Sequence, residues 1–373
     1  MKRLVVKVGT STLMTPEGRL DRHYVSRLCA AVSHQKSDGQ QVALVTSGAV
    51  GTGADHLGAS QPRTIPQKQA AAAVGQGLLM QAYSESFGAC GVTAAQLLLT
   101  RQDIADRTRY TNAHNTFEAL FHYSVVPVVN ENDTVAVDEI RFGDNDTLAA
   151  TVALIIDADL VVILSDVQGL YNPASKEKST IPVISEVNAS VDALARPISG
   201  GPGTGGMVTK LRAARVLTRA GIPLIIGHGR DDAMIPAAVD RWQTVKNGKI
   251  DTGTPGTLFL PCPHRIRGRK RWIAFAHRAR GNMVVNERAA AELVENGRSL
   301  LAAGVTDVSG AFQTGDLVRI LDAAGKEIGR GLSNFSVDEI RVVKGRQSKE
   351  ISELLGRETL KEVIHRDNLV MGL

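Results

Sequence analysis

The sequence predicts an α/β protein with a mostly parallel sheet, followed by a small module made mostly of β-strands. Over about the first 260 residues, short β-branched runs alternate with amphipathic helical stretches, which is the pattern of βαβ units. After about Arg280 the pattern changes to short strands separated by turns. A length of 373 residues is enough for two domains of this kind.

The predicted strands of the first domain are apolar along most of their length. Leu4–Val8 is the first, a helix follows from the Asp21 cap to about Gln35, and Gln41–Thr46 is the second strand. Near-continuous apolar runs are typical of strands that helices cover on both faces. Four further strands are expected in the segments VTAAQLLL, SVVPVVN, DLVVILSD and IPLIIG.

The C-terminal part has a different texture. The segments DLVRILD and EIGRGLS are separated by the turn AAGK, which predicts a β-hairpin rather than a βαβ crossover. The turn-rich segment TGTPGTLFLPCPH precedes this part and marks a domain junction. We therefore expect one domain over residues 1–260 and a second over 277–355.

Composition excludes several classes of protein. Hydrophobic residues make up 43%, charged residues 22% and aromatic residues 4%, unlike disordered or collagen-like chains. Cys29, Cys90 and Cys262 are far apart and lack C-x-x-C spacing, so neither a disulfide framework nor a structural zinc site is indicated. The N-terminal apolar run is too short for a signal peptide, and no stretch approaches a membrane span. We expect a cytoplasmic protein with no membrane contact.

The net charge of +5 lies entirely in the C-terminal part. From Cys262 to Leu373 there are 19 Lys and Arg against 14 Asp and Glu, whereas the rest of the chain is balanced. The stretch Arg265–Arg280 contains seven Lys or Arg residues and no acidic one.

Ligands of open α/β sheets bind beyond the carboxyl ends of the strands, so polar residues at those ends form the candidate site. Lys7 interrupts the first strand in KVGTS; an edge-strand lysine that reaches solvent is the alternative. TSGAVGTG passes from a strand end into a Ser-Gly turn and a helix, which either presents N–H groups to an anion or is only a turn. Walker-type and dinucleotide-binding fingerprints are absent.

Two clusters of Asn and Asp follow. VVNENDT ends a strand and RFGDNDTLAA opens a helix, which brings Asp133, Asn145 and Asp146 near one strand end and one helix N-terminus. Amides can donate to a carboxylate, and carboxylates can bind an ammonium group or Mg²⁺. A helix cap at Asn145 or Asp144 is the simpler alternative for those residues.

The last candidate segments suit a polyphosphate. In GPGTGGMVTKLRAARV a glycine-rich loop precedes a helix, which places backbone N–H groups, the positive helix end and Lys210 together. Ser165 and Asp166 in LSDVQGLYNP end another strand. A flexible loop before a capped helix is the alternative, because this helix also carries an ordinary apolar face.

Taken in order, KVGTS, TSGAV, VVNENDT, GDNDTLAA, SDVQGLY and GTGGMVTK resemble the glutamate 5-kinase branch of the amino acid kinase family. The resemblance spans nearly the whole chain, since GVTDVSGAFQTGDLVRI and SKEISELLG are similar to the PUA module of bacterial members. It implies the amino acid kinase fold, a three-layer α/β/α sandwich with a mostly parallel sheet, followed by a small, mostly-β PUA-like domain. The implied activity is ATP-dependent phosphorylation of the γ-carboxylate of L-glutamate to L-glutamyl 5-phosphate, with Mg²⁺, which begins proline biosynthesis.

The resemblance also implies roles for particular residues. The catalytic residues are Lys7, Lys210 and Asp146. The glutamate ligands are Ser47, Asp133 and Asn145. The ATP-binding residues are Lys7, Ser165, Asp166, Thr204, Gly205, Gly206, Met207, Val208, Thr209 and Lys210. No direct protein ligand for a metal ion is assigned.

The expected partners are L-glutamate and ATP, a second copy of the chain in a dimer or tetramer, a glutamyl phosphate reductase that receives the labile acyl phosphate, and RNA bound through the PUA-like domain. Two alternatives stay open. One is another amino acid kinase that makes an acyl phosphate, such as acetylglutamate kinase or aspartokinase; a substrate with a free ammonium group needs an acidic partner, which Asp133 offers. The other is an RNA-binding protein, whose affinity would depend on salt.

Overall fold

The fold is described from a computed structural model. The described residues are 1–58, 62, 64–100, 103, 106–135, 145–172, 179–195, 206–262, 273, 279–347, 350–356 and 361–371. They divide into two compact units, Met1–Arg265 and Ile266–Leu373.

The first unit contains an eight-stranded sheet. Its strands are β1 (Arg3–Val8), β2 (Gln41–Val45), β3 (Ala94–Leu99), β4 (Val126–Glu131), β5 (Leu160–Ser165), β6 (Val183–Ile184), β7 (Leu224–His228) and β8 (Thr257–Phe259). Their order across the sheet is β3-β4-β2-β1-β5-β7-β8-β6. Neighbouring strands run parallel except β7 and β8, which are antiparallel within the described sheet. The expected, mostly parallel sheet is confirmed.

Nine helices of the described chain belong to this unit. They are α1 (Thr10–Leu13), α2 (Arg22–Ser37), α3 (Ala49–His56), α4 (Ile65–Ala89), α5 (Arg107–His122), α6 (Asn145–Ile155), α7 (Ala189–Leu194), α8 (Gly206–Arg219) and α9 (Met234–Lys246). The predicted start of α2 is confirmed, because the Asp21 side chain accepts a hydrogen bond from the backbone N–H of Tyr24.

Helices cover both faces of the sheet. Alternate residues of β1, Leu4, Val6 and Val8, lie in an apolar core with residues of α2, α4 and α9. Lys7 points to the opposite face because side chains alternate along a strand, and there it meets α6. Every residue of α6 is buried, so this helix lies inside the fold rather than at its surface. The arrangement is an α/β/α sandwich.

Helices α3 and α4 approach each other closely at two glycines. A methyl group added to Gly53 would come within 1.8 Å of the carbonyl oxygen of Ala71, and one added to Gly75 within 1.9 Å of that of Ala49. Gly48, before α3, has a φ of 97°, a left-handed conformation that favours glycine. The glycines of this region therefore fix where the turn after β2 lies relative to α4.

The second unit is built on a five-stranded sheet. Its strands and helices are β9 (Gly281–Val285), α10 (Glu287–Asn296), β10 (Leu300–Leu301), β11 (Val305–Gly310), β12 (Leu317–Leu321), β13 (Glu327–Leu332), α11 (Val337–Val343), α12 (Ile351–Leu355), β14 (Glu362–Ile364) and β15 (Leu369–Met371). The sheet order is β11-β9-β12-β13-β15, and β10 pairs with β14. Strands β12 and β13 are antiparallel, which confirms the predicted hairpin.

No helix within the described ranges has the length and apolar character needed to cross a membrane. The basic stretch Arg265–Arg280 lies almost entirely outside the described residues, as do Thr204, Gly205 and Arg141 to Asp144.

Candidate active site

The polar side chains that the sequence singled out meet at the C-terminal edge of the large sheet, where α6 begins. Lys7 lies near the end of β1, the fourth strand of eight, and is only 5% exposed. The alternative of an edge-strand lysine that reaches solvent is therefore wrong. A buried lysine requires a paired negative charge, and α6 supplies it.

Four side chains form what we call the lysine–aspartate cluster: Lys7, Asp146, Thr209 and Lys210. The ammonium nitrogen of Lys7 lies 2.7 Å from Asp146 Oδ1, and that of Lys210 lies 3.2 Å from Asp146 Oδ2. The Thr209 hydroxyl donates to Asp146 Oδ2 at 2.7 Å. One carboxylate thus holds two cations from different elements, β1 and α8, at one place.

The electrostatics of this cluster keep Asp146 ionised. Burial alone would raise the pKa of Asp146, which is 1% exposed. The charges of Lys7 and Lys210, together with hydrogen bonds from Lys7 and Thr209, outweigh that effect and lower the pKa of Asp146 below its usual value. Two lysines facing one carboxylate leave a local excess of one positive charge. Such a site suits an anionic ligand.

A second group of side chains, which we call the amide cluster, consists of Thr46, Ser47, Asn130 and Asn145. Asn145 Nδ2 lies 2.6 Å from the carbonyl oxygen of Thr46, 2.8 Å from Ser47 Oγ and 3.0 Å from Asn130 Oδ1. The Asn145 side chain therefore joins α6 to the ends of β2 and β4. The alternative that Asn145 only caps its helix does not account for these bonds.

Asp133 lies in the turn after β4 and is partly buried. Burial, and then the neighbouring Glu131 carboxylate, raise the pKa of Asp133 to about 7. A cation that binds next to such a carboxyl group lowers its pKa and stabilises its ionised form. The position fits a ligand that carries an ammonium group.

Ser165 and Asp166 lie at the end of β5, two strands from β2. The Ser165 hydroxyl donates to Asp166 Oδ1 at 3.0 Å, and the carbonyl oxygen of Ser165 accepts from the backbone N–H of Gly229 at 2.7 Å. Gly206, Met207 and Val208 form the first turn of α8, and the exposed fraction of Val208 is 51%. The carbonyl oxygen of Gly206 accepts from Lys210 Nζ at 3.3 Å, so this turn also holds the lysine.

The structure joins the predicted residues into two clusters rather than one. Ser47 and Asn145 contact each other, while Lys7, Asp146, Thr209 and Lys210 form the other set. Within the described part of the chain, Asp133 and the Ser165–Asp166 pair lie at the same sheet edge without a direct bond to either cluster.

Sequence reasoning missed several residues of the amide cluster and its surroundings. Asn130 stands within VVNENDT, but its role emerges only from its contact with Asn145. Thr46 begins the segment TSGAVGTG, but its role emerges only from its contacts: its hydroxyl lies 2.7 Å from the buried Tyr83 hydroxyl of α4. Gln76, also on α4, accepts from Asn130 Nδ2 at 2.8 Å. Helix α4 is rich in alanine and glutamine, so no residue type there marks a site.

The side chains of the site can be compared with the ligands that a divalent metal ion requires. No group of three or more His, Cys, Asp or Glu side chains with metal-binding geometry occurs among the described residues. Both Asp146 oxygens already face ammonium groups. Mg²⁺ is usually bound by one or two carboxylates together with substrate phosphates and water, and this donor set is compatible with that mode of binding.

Comparison with known proteins identifies the family of the chain. The sequence model described as the amino acid kinase family matches residues 2–228, and the PUA domain model matches residues 281–355. The chain therefore belongs to the amino acid kinase family and carries a PUA domain. The expected fold, an amino acid kinase sandwich followed by a small β-rich domain, is confirmed.

Similarity to known proteins extends over the full length of the chain. A glutamate 5-kinase of Moorella thermoacetica is 47% identical, covering 99% of this chain and 96% of the relative. Those of Trichlorobacter lovleyi and a Cyanothece species are 44% and 45% identical and cover 97% and 99% of the relatives. Among solved structures, a carbamate kinase from Giardia lamblia bound to AMP-PNP has a TM-score of 0.48 at 19% identity, covering 70% of this chain and 99% of that one.

Proposed function

We propose that this protein transfers the γ-phosphoryl group of ATP to the γ-carboxylate of L-glutamate, which gives L-glutamyl 5-phosphate and ADP and begins proline biosynthesis. The observation that carries the proposal is the Asp146 carboxylate between two buried lysines at the C-terminal edge of the sheet. Full-length similarity to glutamate 5-kinases supports the same reaction.

The nucleophile needs no general base. A γ-carboxylate has an ordinary pKa near 4.3 and is ionised at neutral pH. The clusters at the sheet edge contain lysine, amide, hydroxyl and carboxylate groups and no histidine. Catalysis therefore requires that the protein align the two substrates and stabilise charge on the phosphoryl oxygens.

Lys7 and Lys210 supply that charge. Both ammonium groups are buried and fixed by Asp146, so they need no reorganisation as the phosphoryl group moves. Preorganised donors of this kind act mainly on the transition state. Asp146 acts as the organiser: it aims both lysines and does not itself react.

The glutamate side is assigned to Ser47, Asp133 and Asn145. Ser47 and the turn before α3 offer a hydroxyl and backbone N–H groups to the α-carboxylate, since Gly48 is the N-cap of that helix. Asp133 pairs with the α-ammonium group, and its raised pKa falls when the cation arrives.

The nucleotide side is assigned to Lys7, Ser165, Asp166 and the segment from Thr204 to Lys210. Helix α8 has 14 residues, and its first turn presents N–H groups and a positive end to the phosphates. Thr204 and Gly205 lie outside the described residues and stay predictions. Mg²⁺ bound together with ATP would neutralise phosphate charge next to Lys7 and Lys210.

Further partners belong to the proposal as well. We place the kinase domain at residues 1–260 and the PUA-like domain at 277–355, in a cytoplasmic protein that forms a dimer or tetramer. The acyl phosphate is labile, so a glutamyl phosphate reductase is its natural acceptor. The PUA match supports RNA as a ligand of the second domain.

The test is to trap the product. The protein is incubated with ATP, Mg²⁺ and hydroxylamine, together with L-glutamate, L-aspartate or N-acetyl-L-glutamate in parallel reactions. Any acyl phosphate becomes a hydroxamate. We expect the product with L-glutamate and much less with the other two, because an Asp133 without its ammonium partner costs about 1–3 kcal/mol. Equal turnover of N-acetyl-L-glutamate would mean that the chain is a different amino acid kinase.

A further inference from the structure

Gln76 lies outside every assignment made above, yet it touches the amide cluster. It stands on α4 directly after Gly75, the residue at which α4 presses against α3. Its Oε1 accepts a hydrogen bond from Asn130 Nδ2 at 2.8 Å. Its other polar atom, Nε2, is buried and meets no hydrogen-bond acceptor among the described residues.

Gln76, Asn130 and Asn145 form a series of three side-chain amides. Backbone atoms, whose donor or acceptor character is known, fix the orientation of the two asparagines. The backbone N–H of Glu131 donates to Asn130 Oδ1 at 2.9 Å, so the oxygen of Asn130 must face that way. The amide nitrogen of Asn130 then faces Gln76, which must answer with its own oxygen. The same logic fixes Asn145, whose nitrogen faces the carbonyl oxygen of Thr46.

The fixed orientation explains the unpaired donor. If the Gln76 amide turned over, two NH₂ groups would face each other, so Nε2 stays buried without an acceptor. A buried donor without a partner destabilises a fold. An apolar side chain at position 76 would remove this donor, but it would also leave Asn130 Nδ2 without its acceptor. What Gln76 provides is therefore its Oε1, which holds the amide nitrogen of Asn130 in one orientation.

We infer that Gln76 is a positioning residue that acts through Asn130 on Asn145, and that it keeps the Asn145 carbonyl oxygen toward the substrate's ammonium group. Asn145 Nδ2 carries two hydrogens and has three acceptors around it, so no hydrogen remains for a carboxylate. The opposite end of the amide is an acceptor. This inference rests on the proposed function, because it assigns the Asn145 oxygen to the amino end of L-glutamate.

The experiment compares Gln76→Met with the wild-type protein. Methionine keeps the length of the side chain and removes both polar atoms. We expect the KM for L-glutamate to rise about tenfold, while kcat and the KM for ATP change less than twofold. The melting temperature should change little, since the variant removes one unpaired donor, Gln76 Nε2, and leaves another, Asn130 Nδ2. Gln81→Met is the matched control: Gln81 lies on the same helix, is exposed and binds only Glu85 in the described structure.

A second pair of variants tests the route of the effect. In an Asn130→Ala background, Gln76→Met should change the KM for L-glutamate by less than twofold, because the intermediate group is absent. An unchanged KM for Gln76→Met alone would overturn the inference, as would a tenfold rise that persists without Asn130. A fall in melting temperature together with a lower kcat and a rise in the KM values for both substrates would assign Gln76 an ordinary packing role. Wild-type protein that forms no hydroxamate from L-glutamate would instead contradict the proposed function.

Discussion

Asn145 and Asp146 are adjacent in the chain, yet their side chains belong to networks of different chemistry. Asp146 holds two ammonium groups in the lysine–aspartate cluster, where every contact involves a charge. Asn145 holds a hydroxyl, a carbonyl and another amide in the amide cluster, where no group is charged. Two adjacent residues at the start of α6 thus belong to two regions, one suited to phosphoryl charge and one suited to recognising a small zwitterion.

The difference teaches how the two clusters should respond to mutation. Charges that are already in place stabilise developing charge, so the lysine–aspartate cluster should govern kcat. Neutral hydrogen bonds to parts of the substrate that do not react are equal in the ground and transition states, so the amide cluster should govern KM. The predictions below test that division.

The largest effect is expected on stability, from Asp146→Asn. This change leaves two buried lysines without a counter-charge, and breaking a buried ion pair costs about 3–5 kcal/mol. The melting temperature should fall markedly. Asp232→Asn is the control, because Asp232 pairs with Arg27 at the surface and such pairs contribute about 0–1 kcal/mol. Equal melting temperatures for the two variants would contradict the buried cluster.

The next effect concerns rate. Lys7→Ala and Lys210→Ala should each lower kcat roughly a hundredfold or more, because one lost preorganised contact raises the barrier by about 3–4 kcal/mol. The KM for L-glutamate should change little. Steady-state kinetics of the hydroxamate reaction measure both quantities. A variant with near-normal kcat would remove its lysine from the catalytic residues.

A smaller effect is expected from pH, through Asp133. This carboxyl group has a pKa of about 7 and must be ionised to pair with an ammonium group. The KM for L-glutamate should therefore rise as pH falls, by about tenfold between pH 8 and pH 6. The value of kcat should stay flat over this range, since the γ-carboxylate is ionised throughout.

Asp133→Asn is the control for this pH dependence. The variant has no titrating carboxyl group at this position, so its KM should be high and nearly independent of pH. A wild-type KM that does not vary between pH 6 and pH 8 would show that Asp133 does not bind the ammonium group.

The smallest effect is expected from removing the second unit. Both clusters are built from residues before Pro223, and Cys262 N donates to the carbonyl oxygen of Thr218 in the first unit. A chain that ends after Cys262 should fold, as judged by a cooperative melt, and keep its kcat and KM within about twofold, a rate difference of about 0.4 kcal/mol. A folded but inactive truncation would show that the second unit completes the site. Salt-dependent RNA binding, if present, should disappear with it.

Sequence patterns predicted the fold best where the signal is local. The apolar run Leu4–Val8, the Asp21 cap and the hairpin of β12 and β13 follow from periodicity and turn chemistry. Strands β6 and β8 have two and three residues, too few for any period to show. The antiparallel pairing of β8 with β7 is a tertiary feature without a local signal.

The site was predictable in its charged part and not in its neutral part. A lysine within an apolar strand is unusual enough to be noticed, and Lys7 does lie in the lysine–aspartate cluster. Gln76 and Tyr83 lie on a helix of ordinary composition, and only the close contact of α3 and α4 brings that helix to the amide cluster. Their role depends on contacts between residues 37 and 54 positions apart, which no motif records.

The most direct test of the division measures one variant from each cluster in the same assay. Lys210→Ala and Ser47→Ala are compared with wild-type protein by initial rates of hydroxamate formation over a range of L-glutamate at saturating ATP. We predict that Lys210→Ala lowers kcat roughly a hundredfold with little change in KM, whereas Ser47→Ala raises KM roughly tenfold with little change in kcat. The same proportional loss of kcat in both variants, with KM unchanged, would contradict the separation of the site into a phosphoryl part and a recognition part.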